Sequence, residues 1–133
     1  MIDVLFQTES HFPVNREKVK RAVIDALSHK IKRDAAEVNI TIVGDRKMHR
    51  LNLTYRKIDH TTDVLSFPLN DITAYAKVSF VDVPDGVLRL GDIVVSYPQA
   101  VAEAGEENTL VDDKIIELVL HGLDHLLGIH HPE

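Results

Sequence analysis

The run His121-Gly-Leu-Asp-His125-Leu-Leu-Gly128-Ile-His130-His131 holds four of the chain's eight histidines within eleven residues. On a helix, His121 and His125 are i and i+4 and stand one above the other on one face. Gly128 can adopt the left-handed conformation that ends a helix and lets the chain fold back. His131, just past that glycine, would close a three-nitrogen site for one divalent ion. His130 beside it either competes as ligand or stands behind it. Three protein ligands and a water is the pattern of a catalytic zinc, whereas structural zinc usually has four protein ligands. The chain has no cysteine, so a zinc site must use histidine and carboxylate.

This spacing matches one branch of zinc proteases, in which the residue after the first histidine is the glutamate that acts as general base. Here that position is Gly122. Asp124 is poorly placed to replace the missing base, because successive helical residues point about 100° apart. Arg56 offers different chemistry. A phosphodiester under attack develops negative charge, and a guanidinium grips two phosphate oxygens at once.

Elements that would carry these groups are legible in the pattern. Residues 1–8 and 38–43 alternate as strands. Asn15 can cap a helix whose apolar stripe is Val19, Ala22, Val23, Ala26, Leu27 and Ile31. After the turn at Gly44-Asp45, a short helix over 45–56 turns Met48 and Leu51 inward. A loop containing Asp59, His60, Thr61 and Thr62 leads into the apolar run Val64–Phe67, closed by Pro68. Residues 76–81 and 87–96 read as further strands, with a turn at Pro84-Asp85-Gly86 between them. A short helix near 97–106 comes next. The last helix starts after Asn108, with Asp112 and Asp113 where the helix dipole favours acids. Its expected buried stripe is Ile116, Val119, Leu120, Leu123 and Leu127, with the histidines on another face beside Lys114, Glu117 and Leu118. The sum is an α+β fold: a small mixed sheet of about four strands with helices packed around it, and a zincin-like metal site on the C-terminal helix.

By length, residues 1–133 form one domain. Hydrophobic residues make up 44% of the chain and aromatic ones 5%, so the core is aliphatic. No signal peptide or membrane span is expected from the sequence, and the absence of cysteine suits a reducing cytoplasm. The net charge of −6 is unevenly spread. Residues 1–57 carry a net +5 and residues 58–133 a net −11. The first half therefore suits an anionic partner, although solvated helix faces would give the same imbalance.

Two further stretches join the histidine run. Residues 51–68 read Leu-Asn52-Leu-Thr-Tyr-Arg56-Lys-Ile-Asp59-His-Thr-Thr62-Asp63-Val-Leu-Ser66-Phe-Pro68, and residues 90–96 read Leu-Gly91-Asp92-Ile-Val-Val-Ser96. In order and spacing the three resemble the YbeY family of bacterial endoribonucleases and rRNA maturation factors, from about residue 38 onward. The resemblance implies Zn2+ on His121, His125 and His131. It also implies that Arg56 binds and polarises an RNA phosphate. The substrate would be single-stranded RNA, notably the precursor 3′ end of small-subunit ribosomal RNA. The partners would be the ribosomal small subunit and its proteins in the cytoplasm, with no DNA or membrane. Arg46, Lys47, Arg50 and Lys57 would then form a contact surface for the RNA backbone. This chain departs from the family's usual pattern at Thr61, where the family has proline, and at His130, where it has aspartate. Two other functions share the same residues: a metallohydrolase of another ester or amide, and a zinc-stabilised ribosome-associated binding factor without catalysis.

Overall fold

The computed structural model describes residues 2–9, 11–31, 35–69 and 87–128. In chain order these form β1 (Ile2–Thr8), α1 (Arg16–Lys30), β2 (Ala36–Val43), α2 (Asp45–Arg56), β3 (Val64–Pro68), β4 (Leu88–Ser96), α3 (Tyr97–Glu107) and α4 (Val111–Leu126). The expected strand at 76–81 and the turn at 84–86 lie outside the described residues, as do His130 and His131.

The sheet order is β1-β2-β4-β3. β1, β2 and β4 run parallel, and β3 is antiparallel beside β4. The sheet is mixed and four-stranded as the sequence pattern implied, but its fourth strand is the run Val64–Pro68, which the pattern marked only as apolar. Alternation divides β2 between two faces: Ala36, Val38, Ile40 and Ile42 go into the main core. The register between β2 and β4 slips at Glu37/Val38, which leaves Leu90 as the extra residue of a bulge. Gly91 is next, at φ +132°, and a Cβ there would lie 2.2 Å from the Phe67 carbonyl oxygen. Only glycine can hold β3 this close to β4 at that backbone angle.

One face of the sheet is covered by α1 and α4. Asn15 caps α1 as its position implied, accepting from the Lys18 N–H at 3.1 Å. Val19, Val23 and Leu27, spaced four apart, are fully buried. Ion pairs join α1 to α4 at both ends, Lys18 with Asp113 at 2.8 Å and Lys30 with Asp124. Asp124 thus serves helix packing, away from the histidine face.

The buried stripe of α4 differs from the expected one. Ile115, Leu118, Val119, Gly122, Leu123 and Leu126 are buried, while Ile116, Leu120 and Leu127 are only partly covered. The helix is turned by roughly one residue step of about 100°. The reason is tertiary: α4 packs against α1, α3, β3 and β4 together, and so buries a wider arc centred nearer the sheet edge. That turn brings His121 and His125 to the border of the arc, next to β3.

The helix ends as Gly128 implied, with φ +78° and its N–H on the His125 carbonyl at 3.1 Å. On the other face of the sheet, α2 packs Met48 and part of Leu51 against Val43, Leu65, Val94 and Phe67. Among the described residues, no helix is long and apolar enough to cross a membrane.

Candidate functional site

A cleft of about 520 Å³ opens between α4, the edge strand β3 and the C-terminal end of α2. Its walls are Arg56, Thr62, Asp63, Val64, Leu65, Ser66, Leu118, His121, Gly122 and His125. Arg56 and the two histidines, remote in sequence, thus share one cavity.

Gly122 explains how α4 comes so near the strand. A Cβ at this position would meet Ile93 Cγ2 at 2.9 Å and Val64 Cγ2 at 3.5 Å. The helix lies against the sheet through its bare backbone there. A side chain at 122, such as the glutamate of the protease pattern, would run into Ile93 and Val64.

His121 and His125 are exposed on the cleft side. Their Nε2 atoms lie 3.1 Å apart, with ring planes at 73°. Between two neutral imidazoles that distance fits one hydrogen bond. It is also near the roughly 3.3 Å separating two nitrogens bound at about 2.0–2.1 Å to a tetrahedral ion. Donor type and spacing therefore fit a zinc-like cation at these two atoms. Among the described residues, no third histidine, cysteine, aspartate or glutamate completes a group of three. The expected third ligand, His131, and its neighbour His130 lie outside them.

Arg56 is the last residue of α2, and the turn beyond it sets its direction. Lys57 takes a left-handed conformation (φ 62°, ψ 29°) and its N–H returns to the Leu53 carbonyl at 3.1 Å. The loop after Lys57 is fastened by one polar stripe of α2, residues i, i+4 and i+7. His49 Nε2 lies 2.7 Å from Asp59 Oδ1, Asn52 donates to the His60 carbonyl at 2.9 Å, and Asp45 accepts from the Thr61 hydroxyl at 3.0 Å. Asp45 also accepts from Ser96 at 2.7 Å and from the Gln99 amide at 3.2 Å. It thereby ties the loop to the end of β4 and the start of α3. At Thr61, where proline would stiffen the chain, a side-chain hydrogen bond holds it instead.

Asp63 closes the cleft floor. Its Oδ1 accepts from the Val64 N–H at 2.7 Å, and its carboxylate hydrogen-bonds the carboxyl of Glu103 on α3. Burial, then the hydrogen bond to Asp63, raises Glu103 to about 7, against the pull of Lys114. Lys114 is itself 6% exposed and sits among carboxylates, 2.6 Å from Glu107, 3.7 Å from Glu103 and also bonded to Glu117. Bonds to Glu107 and Glu117 hold its ammonium well above the usual lysine range. The sequence pattern placed Lys114 and Glu117 together beside the histidine face, but the partners Glu103 and Glu107 became visible only once α3 packed on α4.

The other basic residues of α2 stand differently. Arg46, Arg50 and Lys57 are exposed, and Lys57 donates to the Thr54 carbonyl at 3.2 Å. Lys47 lies 3.8 Å from Glu9. None of these four lines the cleft. The sequence pattern did not single out Ser66 or Glu103 as site residues. Ser66 carried a signal, a hydroxyl inside an apolar run. Glu103 carried none, because its partner Asp63 is remote in the chain.

A family model described as Endoribonuclease YbeY matches residues 5–133. A protein of Roseiflexus castenholzii named Endoribonuclease YbeY is 38% identical over 131 residues, covering 98% of this chain and 79% of its own length. One of the same name from Clostridioides difficile is 37% identical over 115 residues, covering 86% and 71%. The solution structure of TM1509 from Thermotoga maritima superposes with a TM-score of 0.61 at 25% identity, covering 97% of this chain and 75% of that one.

Proposed function

Because the chain belongs to the YbeY endoribonuclease family, we propose that its cleft cuts single-stranded RNA during ribosomal RNA processing, notably at the 3′ end of the small-subunit rRNA. The observation that carries this reading is the placement of Arg56 opposite His121 and His125 in one cavity. The guanidinium holds two oxygens of the scissile phosphate and opposes the charge that develops there. The hydroxyls of Thr62 and Ser66 line the same wall and can hydrogen-bond the phosphate or a ribose. Asp63 lines the cleft, and Glu103, raised to about 7 by burial and its hydrogen bond to Asp63, stands behind it. Arg46, Lys47, Arg50 and Lys57 neutralise flanking phosphates, which supplies affinity without sequence preference. His121 and His125, with His131, would hold one zinc ion. When bound, it supplies a Lewis acid beside the phosphate. The setting is the cytoplasm, at the small ribosomal subunit and its proteins.

The test incubates purified wild type, Arg56→Ala and His125→Ala with a labelled RNA bearing the precursor 3′ end. Wild type is expected to cut and both variants to lose at least a hundredfold in rate, about 2.7 kcal/mol of barrier. Equal cutting by all three would assign the activity to a contaminant and remove the reading. Metal content of wild type, His121→Ala, His130→Ala and His131→Ala tests the ligands separately. One zinc per chain in wild type and in the His130 variant, lost in the other two, is expected.

A further inference from the structure

A second groove, about 340 Å³, lies on the opposite side of β3 from the cleft. It runs between α2 and the thinly covered face of the sheet, with Lys47, Leu51 and Tyr55 on one wall and Phe67 on the other. Tyr55 is 63% exposed, the second most exposed large apolar side chain of the described residues after Leu110. Its ring meets Phe67 edge to face, with centroids 5.0 Å apart. An aromatic surface is thus held in place while open to solvent.

Cleft and groove are adjoining along the chain in two places. Tyr55 lines the groove and Arg56 the cleft, while Ser66 lines the cleft and Phe67 the groove. A strand whose phosphate lies at Arg56 therefore passes the mouth of the groove at the next nucleotide or two. Exposed Arg46, Arg50 and Lys57 on the same helix and its cap suit a polyanion. Asp92 in the groove would repel a phosphate but can accept from a base amine. A second copy of this chain is disfavoured, since a two-fold contact through α2 would bring its cations together.

We propose that this groove takes an unstacked nucleobase of the bound RNA, with Tyr55 as the stacking surface and Phe67 as its support. The inference rests on the endoribonuclease reading above. Stacking on an aromatic ring is tolerant of sequence and characteristic of proteins that hold single strands.

The test uses the whole chain with Tyr55→Leu, Tyr55→Phe and Arg56→Ala. Affinity for a short labelled single-stranded RNA is read by anisotropy, cleavage on the same RNA, and stacking by the fluorescence of 2-aminopurine placed along the strand. Tyr55→Leu should bind about tenfold more weakly and lose the quenching at one position, with an unchanged melting temperature, while Tyr55→Phe stays within about twofold of wild type. Wild-type affinity in Tyr55→Leu, with cleavage still lost in Arg56→Ala, overturns the subsite and leaves the function standing. If wild type neither binds nor cuts RNA, both fall. A melting temperature lowered by several degrees at unchanged affinity would show that the groove is filled by the chain itself. A dimer that Tyr55→Leu converts to monomer at unchanged affinity would show that a second copy fills it. Either result overturns the proposal.

Discussion

At position 122 a single methyl group is already too large. The contact with Ile93 at 2.9 Å is tighter than real side chains tolerate, and Ile93 is itself fully buried. Gly122→Ala should gain about 1 kcal/mol of helix propensity and lose about 1–3 kcal/mol to overpacking. The expected net is a destabilisation of about 1 kcal/mol, read from urea melts of the two proteins. An alanine variant as stable as wild type, or more so, would mean that α4 does not lie this close to the sheet. This contact also gives the physical reason why the protease-like spacing does not yield a protease. A base at 122 needs room for its side chain, and Ile93 leaves none.

On the scale of elements, α2 is a short helix whose exit matters more than its length. Its C-cap, Lys57, bears the steric cost of a left-handed conformation, and the capping bonds to Asn52 and Leu53 require that conformation. Lys57→Gly should stabilise the protein by about 0.5–1 kcal/mol, raising the melting temperature by roughly 2–4 °C. A lowered melting temperature would show that this lysine is not left-handed in solution. Sequence periodicity located α2, because Met48 and the turn at Gly44 are local signals. It did not show the polar stripe Asp45, His49 and Asn52 fastening the loop, since those partners are loop residues without periodicity. In α4 the histidine pair was legible from i, i+4 spacing alone. The orientation of the helix was not, because contacts from four neighbouring elements choose among the apolar faces that the sequence offers.

For the molecule as a whole, the acidic half of the chain is partly gathered around one lysine. Glu103, raised from 4.5 to about 7, binds its proton more tightly folded than unfolded. Folding therefore gains least from this group at high pH: its contribution is lost as pH rises from about 4.5 through about 7 and is constant above. Glu103→Gln removes that loss. Melting temperatures of the two proteins should coincide near pH 4.5 and diverge up to about pH 7, with the glutamine variant the more stable, then run parallel. Parallel curves throughout would mean that Glu103 titrates as an ordinary glutamate.

The sequence by itself determined the elements that depend on near neighbours: β1 and β2 by alternation, the helices by periodic apolar residues and caps, the histidine pair by its spacing. It also carried the family likeness, because the motif stretches are contiguous. Only the tertiary structure decided that Arg56, Asp63 and Ser66 face His121 and His125 across one cleft, that Glu103 stands behind Asp63, and that Tyr55 opens a second groove. Those relations join residues as far apart in the chain as Arg56 and His125. They arise from packing α2, α3 and α4 around one sheet edge, which no local pattern encodes.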